Sequence, residues 1–140
     1  RLAPTVRPVA VIAFSSSMDG NGDEIYVMNS DGTNVRRLTT NNFDDFNPAW
    51  SPDGTKIAYV SVRDEKKQIY IMSSDGLDQV DLSNNTWNDY QITWSPDSQW
   101  IAFTSDRTGD LDIYIMPISS PAPSPLLNND VNDLHPAWRP

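Results

Sequence analysis

The sequence predicts an all-β propeller of four-stranded antiparallel blades, three blades to the chain, and three observations predict it. The first is a repeat: Ile25, Ile69 and Ile113 are 44 residues apart, as are Trp50, Trp94 and Trp138, and Leu38, Leu82 and Leu126. The second is that each period holds short runs rich in Ile, Val, Tyr and Phe in which apolar and polar residues alternate, the pattern of a strand buried on one face. The third is turn chemistry between the runs, with no helical period anywhere. A self-similar unit of about 40–45 residues carrying four strands is a propeller blade.

The elements follow in order. Segment 1–8, "RLAPTVRP", is Pro-rich and reads as a linker or tail, leaving 9–140 for the propeller. "PAW" supplies a strand A. "VIAFSSS" at 11–17, "KIAYVSV" at 56–62 and "WIAFTSD" at 100–106 align as strand B. "EIYVMNSDG" from Glu24, "QIYIMSSDG" from Gln68 and "DIYIMPISS" from Asp112 align as strand C, and runs such as "QVDLS" form strand D. In "SPDG", Ser51 to Gly54, the proline presets φ, the aspartate caps the turn and the glycine accepts φ > 0, so A and B form a tight hairpin. "SDG" at 30–32 and 74–76 does the same between C and D. The third repeat has "PISSPAPSP" at 117–125 in place of that turn, so its strand D is expected to be an irregular edge.

The combined wording P-A-W-S-P-D-G and I-Y-x-M-x-S-D-G resembles the WD-repeat-like blade of TolB-type β-propellers, a family that also supplies the propeller domains of prolyl-oligopeptidase-type peptidases. The resemblance covers about 9–140 and implies six blades, a periplasmic or extracellular setting, and protein or peptide binding at one face; the blade alone does not fix function. Counted from the start, the chain gives B, C and D (about 10–16, 24–29 and 35–39), two whole blades, and a lone A at 135–138 in "HPAWRP". In this family such an offset seals the ring. Known propellers have about four to eight blades, so three should not close alone. Two chains would make six, each lending its last strand to the other by β-strand addition, and a strand-exchanged homodimer is the expected assembly. A trimer, a filament, or half of a longer natural chain are the alternatives.

Nineteen acidic and ten basic residues give a net charge of -9, which repels phosphate backbones and anionic lipid surfaces, so nucleic acid is not an expected partner. No apolar run nears the roughly 20 residues that span a bilayer, so membrane insertion is not expected. There is no signal-peptide pattern, and a chain that starts at Arg1 reads as a mature or trimmed piece. Cysteine is absent, which removes disulfides, thiolate nucleophiles and zinc–thiolate sites. Five Trp, five Tyr and four Phe supply large core side chains.

No catalytic constellation is written into the repeat, and the chain is expected to be non-enzymatic with no cofactor. His135, the single histidine, stands where the other repeats have Asn47 and Gln91, and no nucleophile elbow, H-E-x-x-H pair or phosphate loop occurs. "DGNGDE" at 19–24 places Asp19, Asn21 and Asp23 at the spacing of the first three ligands of a calcium loop, a weak metal candidate that Glu24 would join. Its sixth position is Glu24 rather than Gly and its twelfth is Ser30, while the second repeat has "RDEKKQ" there, so a hairpin turn is the stronger expectation. Trp50, Trp94 and Trp138 are expected to pack between blades. Trp87 and Trp100, which are not repeated, are candidates for a contact surface, and "NNT" at 84–86 is a glycosylation sequon.

The remaining pattern is the loop from strand D into strand A. It reads Asp45-Phe46-Asn47, Asp89-Tyr90-Gln91 and Asp133-Leu134-His135: a carboxylate, a large apolar residue and a hydrogen-bonding side chain at constant offset. Strand A lines a propeller's channel, so these nine residues are the expected ligand site at the channel mouth. The aspartates would either ring a cationic peptide group or metal ion, or cap their own loops. The leading function is a protein or peptide recognition module. The alternatives are a propeller domain detached from an enzyme, gating peptidase-type chemistry, and a structural assembly or filament unit.

Overall fold

The computed structural model describes residues 10–140; the expected linker at 1–8 and the first propeller residue lie outside them. Eleven strands form three antiparallel sheets. Blade 1 contains β1 (Val11–Ser16), β2 (Glu24–Asn29) and β3 (Arg36–Arg37). Blade 2 contains β4 (Asp45–Trp50), β5 (Lys56–Arg63), β6 (Lys66–Ser73) and β7 (Val80–Asp81). Blade 3 contains β8 (Asp89–Trp94), β9 (Trp100–Ser105), β10 (Asp112–Pro117) and β11 (Ser124–Pro125). Each sheet runs in chain order, so every connection within a blade is a hairpin. No helix among the described residues is long and apolar enough to cross a membrane.

The hairpins form where the turn residues require them. Gly54 donates to the Ser51 carbonyl at 2.8 Å with φ +72°, closing β4–β5, and Gly76 donates to Ser73 at 2.9 Å with φ +90°, closing the turn after β6. Asp64 and Glu65 take φ 49° and 63° between the paired residues Arg63 and Lys66, a two-residue hairpin whose hand matches strand twist.

Strand register places the same residue types side by side in each blade. Ile12 pairs with Met28, Ile57 with Met72 and Ile101 with Met116. Leu38, Leu82 and Leu126 each donate a backbone bond of 2.8 Å to the carbonyl of Ile25, Ile69 and Ile113. The third blade therefore ends as the others do. Its strand D was expected to be irregular, but β11 has the two-residue length of β3 and β7, and it pairs through Ser124 and Pro125. An outer edge strand tolerates proline because one side of its backbone has no strand to bond.

The core lies between blades. One cluster joins Ile25, Val27 and Leu38 of blade 1 to Ile57, Tyr59, Tyr70 and Met72 of blade 2. The other joins Ala58, Ile69, Ile71 and Leu82 of blade 2 to Trp94, Ile101, Phe103, Tyr114 and Met116 of blade 3. Each blade thus has a forward face and a backward face, and burial occurs where the two meet. Trp94, 6% exposed, crosses this junction and donates from its indole to the Ala49 carbonyl at 2.9 Å. The expected lone strand at 135–138 has no strand partner among the described residues, although His135 keeps the left-handed backbone of its counterparts.

Candidate recognition cleft

The inner strands are bulged at the position that the repeat singled out. β4 pairs Phe46 with Val60 and Ala49 with Ala58, so Asn47 and Pro48 stand opposite the single residue Tyr59. β8 does the same with Gln91 and Ile92 opposite Phe103. Asn47, Gln91 and His135 have φ of 51°, 59° and 56°. A bulge with one residue left-handed bends the strand and re-aims its side chain. These three residues, with Pro48, Ala49, Ile92 and Pro136, line a cleft of about 480 Å³.

Hydrogen bonds fix the orientation of Gln91. Its Oε1 accepts from Thr104 Oγ1 at 2.8 Å and from the His135 backbone N–H at 3.0 Å. The amide nitrogen then faces His135 Nε2 at 3.0 Å. An amide N–H only donates, so His135 accepts at Nε2 and carries its proton at Nδ1. Asn47 and His135 are exposed on either side.

The three aspartates sit behind this surface. Asp45 and Asp89 are 0% exposed, and Asp133 is partly buried. Asn41, Asn85 and Asn129 donate from Nδ2 to the carboxylates of Asp45, Asp89 and Asp133 at 2.7, 2.6 and 2.6 Å. The same asparagines accept at Oδ1 from the backbone N–H of Phe43, Trp87 and Val131 at 2.8, 2.8 and 2.9 Å. An open carboxylate ring would need these groups in solvent, whereas here each braces its loop. Arg107 adds an ion pair to Asp89 at 3.0 Å and lies 4.3 Å from the Tyr114 ring centre. The bracing asparagines carry a sequence signal not taken up above, since positions 41, 85 and 129 also step by 44. Phe46 and Tyr90 are half-buried beside the cleft, and Leu134 is exposed.

The calcium-like loop is a hairpin turn between β1 and β2. Asp19 accepts from the Tyr26 hydroxyl at 2.5 Å and from Arg37 at 3.1 Å. Those bonds, the tyrosine's first, hold its carboxyl below the usual range. Asp23 bonds through its backbone to Asp44 and Asp45, and Glu24, 1% exposed, pairs with Arg37 and accepts from Thr39. Asn21 is exposed. Among the described residues no three His, Cys, Asp or Glu side chains gather as a metal cage. Trp87 and Trp100 are 43% and 38% exposed, although Arg107 lies 5.5 Å from the Trp87 ring centre.

One three-stranded and two four-stranded antiparallel sheets, packed face to face and with bulged inner strands in the latter two, define a β-propeller architecture, here seen over three blades. The TolB beta propeller domain family matches residues 1–88, more than half of the chain, and the chain belongs to that family. It is 42% identical over 60 residues to a Protein TolB homolog of Chlorobium luteolum, covering 43% of this chain and 14% of that protein. It is 48% identical over 52 residues to a Tol-Pal system protein TolB of Desulfosudis oleivorans, covering 37% and 12%. Among solved structures, a presumed TolB from Agrobacterium tumefaciens superposes with a TM-score of 0.84 at 28% identity, covering 91% of this chain and 46% of that one. The matched stretch is thus a small part of each curated relative and under half of that solved chain.

Proposed function

We propose that the chain is a non-enzymatic, extracytoplasmic recognition module that binds an extended segment of a partner protein or peptide at its axial cleft. The observation that carries this reading is the trio Asn47, Gln91 and His135, left-handed at one repeat position, the first two on β4 and β8, and lining one cleft of about 480 Å³. Amide and imidazole groups suit a peptide backbone, which offers donors and acceptors in alternation. Phe46, Tyr90 and Leu134 give apolar contact beside them. Asp45, Asp89 and Asp133 position the loops, and the chain's net charge of -9 favours a cationic segment. A relative named as a Tol-Pal system protein supports a protein partner. In this reading the ring is completed by a second copy of the chain.

Calorimetry with a basic synthetic peptide and its acidic counterpart tests the proposal. The basic peptide should bind, and Asn47→Ala combined with His135→Ala should weaken it at least about tenfold, the equivalent of 1.4 kcal/mol. Equal binding of both peptides, or binding unchanged in the double variant, refutes the cleft. Repeating the titration with a chelator separates a metal-mediated contact from a direct one.

A further inference from the structure

Blade 2 leaves open an arginine whose counterpart in blade 3 is paired. Arg107 meets Asp89 at 3.0 Å, and in blade 1 the same repeat position is Asp19, which pairs with Arg37 at 3.1 Å. Arg63 is anchored as Arg107 is, its Nε donating to Ser61 Oγ at 3.1 Å where Arg107 Nε donates to Ser105 Oγ at 2.8 Å. Its guanidinium lies 4.2 Å from the Tyr70 ring centre and 4.6 Å from that of Phe43, so two aromatic rings hold the group in place. Among the described residues no carboxylate stands within ion-pair distance of it, and its terminal nitrogens have no acceptor.

That guanidinium lines a polar cavity of about 420 Å³ beside the β5–β6 hairpin, within the size range of small-molecule sites. The cavity is built by one blade and the loop leaving it, and none of its residues lines the axial cleft. Two of its side chains are already committed. Gln68, 4% exposed, donates from Nε2 to the Trp87 carbonyl at 2.7 Å and accepts at Oε1 from the Asn85 backbone N–H at 2.9 Å, while Asn85 donates from Nδ2 to Asp89 at 2.6 Å. The groups left for a ligand are two cations, Arg63 and Lys66, two carboxylates, Asp64 and Asp81, and the polar side chains of Asn84 and Thr86. Asp81 uses one oxygen, which accepts from the Asn84 backbone N–H at 2.8 Å.

We propose that this cavity binds a small hydroxylated carboxylic acid of the sugar-acid class. A planar guanidinium takes a carboxylate through two parallel N–H donors, and Lys66 adds a second positive charge. Hydroxyl groups both donate and accept, so they can donate to Asp64 and Asp81 and accept from the amide of Asn84. The same two carboxylates count against a phosphate or sulfate dianion, because the charges of the cavity balance and a second negative charge on the ligand would be unopposed. A neutral sugar would leave Arg63 without a counter-charge. Asp45 is the internal rival. Its Oδ1, buried and without a partner, corresponds to the Asp89 oxygen that holds Arg107, so a ligand must hold Arg63 more favourably than Asp45 does.

Calorimetry on residues 1–140 at low salt tests the proposal with D-glucuronate, D-glucose and acetate. Glucuronate should bind, glucose should give no heat of binding, and acetate, which lacks the hydroxyls, should bind at least about tenfold more weakly. Arg63→Met keeps an apolar stem against the rings but removes the fork, and should lower glucuronate affinity at least about tenfold. Arg63→Lys, which keeps the charge, should restore only part of that loss. Asn84→Asp, at an exposed position with φ 38° that aspartate also adopts, puts a third carboxylate in the cavity and should weaken binding while the far-ultraviolet spectrum is unchanged. No binding of glucuronate, equal binding of glucose, or an affinity unchanged in Arg63→Met or Asn84→Asp would overturn the proposal. Urea melts decide the rival: Arg63→Met should lower the midpoint much less than Arg107→Met does, and an equal loss would show that Asp45 holds Arg63 and would likewise overturn it.

Discussion

Replacing the same leucine in each blade isolates what a blade junction contributes. Leu38→Ala, Leu82→Ala and Leu126→Ala remove the same atoms from the same repeat position and leave the backbone bond to Ile25, Ile69 or Ile113 in place. Leu38 and Leu82, 7% and 6% exposed, sit in the two cores, so each truncation should cost about 2–5 kcal/mol through lost burial and the cavity left behind. Leu126, 57% exposed, should cost under about 0.5 kcal/mol in a monomer. A loss of about 3 kcal/mol is a large part of a typical 5–15 kcal/mol stability, and it lowers Tm by roughly 10 °C in a domain of this size. Urea melts of residues 1–140 followed by tryptophan fluorescence should show two large losses and one small one. A Leu126→Ala cost equal to that of Leu82→Ala would refute the claim that facing blades, rather than each sheet by itself, create the core.

Three further outcomes are expected. Arg107→Met should cost about 3–5 kcal/mol in urea melts, because it strands the fully buried Asp89 carboxylate beside an apolar side chain, and a loss below 1 kcal/mol would contradict that ion pair's role. Gly76→Ala should destabilise by about 1–3 kcal/mol more than Gly32→Ala. Both glycines have φ > 0, but only at Gly76 would the new Cβ meet the neighbouring blade, 3.0 Å from the Leu38 carbonyl oxygen, so equal losses would contradict the close blade approach. Stability should also fall with acid. Bonds from Ser51 to Asp53 and from Ser95 to Asp97 hold these carboxyls below the usual range in the folded state, so their contribution is complete above the unfolded value of about 3.9 and is lost as pH falls through the lower folded values. Urea midpoints between pH 7 and 3 should show this loss, and Ser51→Ala with Ser95→Ala should reduce it.

The fold was legible where side chains alone determine local structure. Alternating apolar runs specify strand faces and Asp-Gly turns specify hairpins, so strands B and C of every blade follow from a 44-residue period and turn chemistry, whereas β4 and β8 begin three residues earlier than "PAW" marks, at Asp45 and Asp89. The inner-strand bulge was hidden because its left-handed residue is Asn, Gln or His, never Gly, so no single residue type marked it. Asn and His enter that region more readily than most side chains, but neighbouring strands select it here. The nine candidate residues stand out by their constant offset, yet the offset does not say which of them face the cleft and which turn inward. A carboxylate in a polar loop reads as exposed, and only the asparagine four residues earlier shows that Asp45 is drawn inward. The Pro-rich third strand D looked irregular because proline disfavours sheets in general, while the outermost strand is the one position that tolerates it.

The asparagine–aspartate brace separates what the repeat holds constant from what it varies. Asn41–Asp45, Asn85–Asp89 and Asn129–Asp133 recur without change, so the same bond ties down the approach to each left-handed position. The next two residues vary from Phe to Tyr to Leu and from Asn to Gln to His, and the second of each pair lines the cleft. Constant bracing therefore fixes where a hydrogen-bonding group is presented, while the sequence remains free to choose which group. Three unlike groups on one cleft make it chemically uneven, so a segment bound there would have a preferred register and direction. Reversing the sequence of a peptide bound at the cleft would exchange its contacts with Asn47 and His135, which stand on either side of Gln91, so the reversed peptide should bind more weakly, and equal binding of the two would refute the uneven cleft.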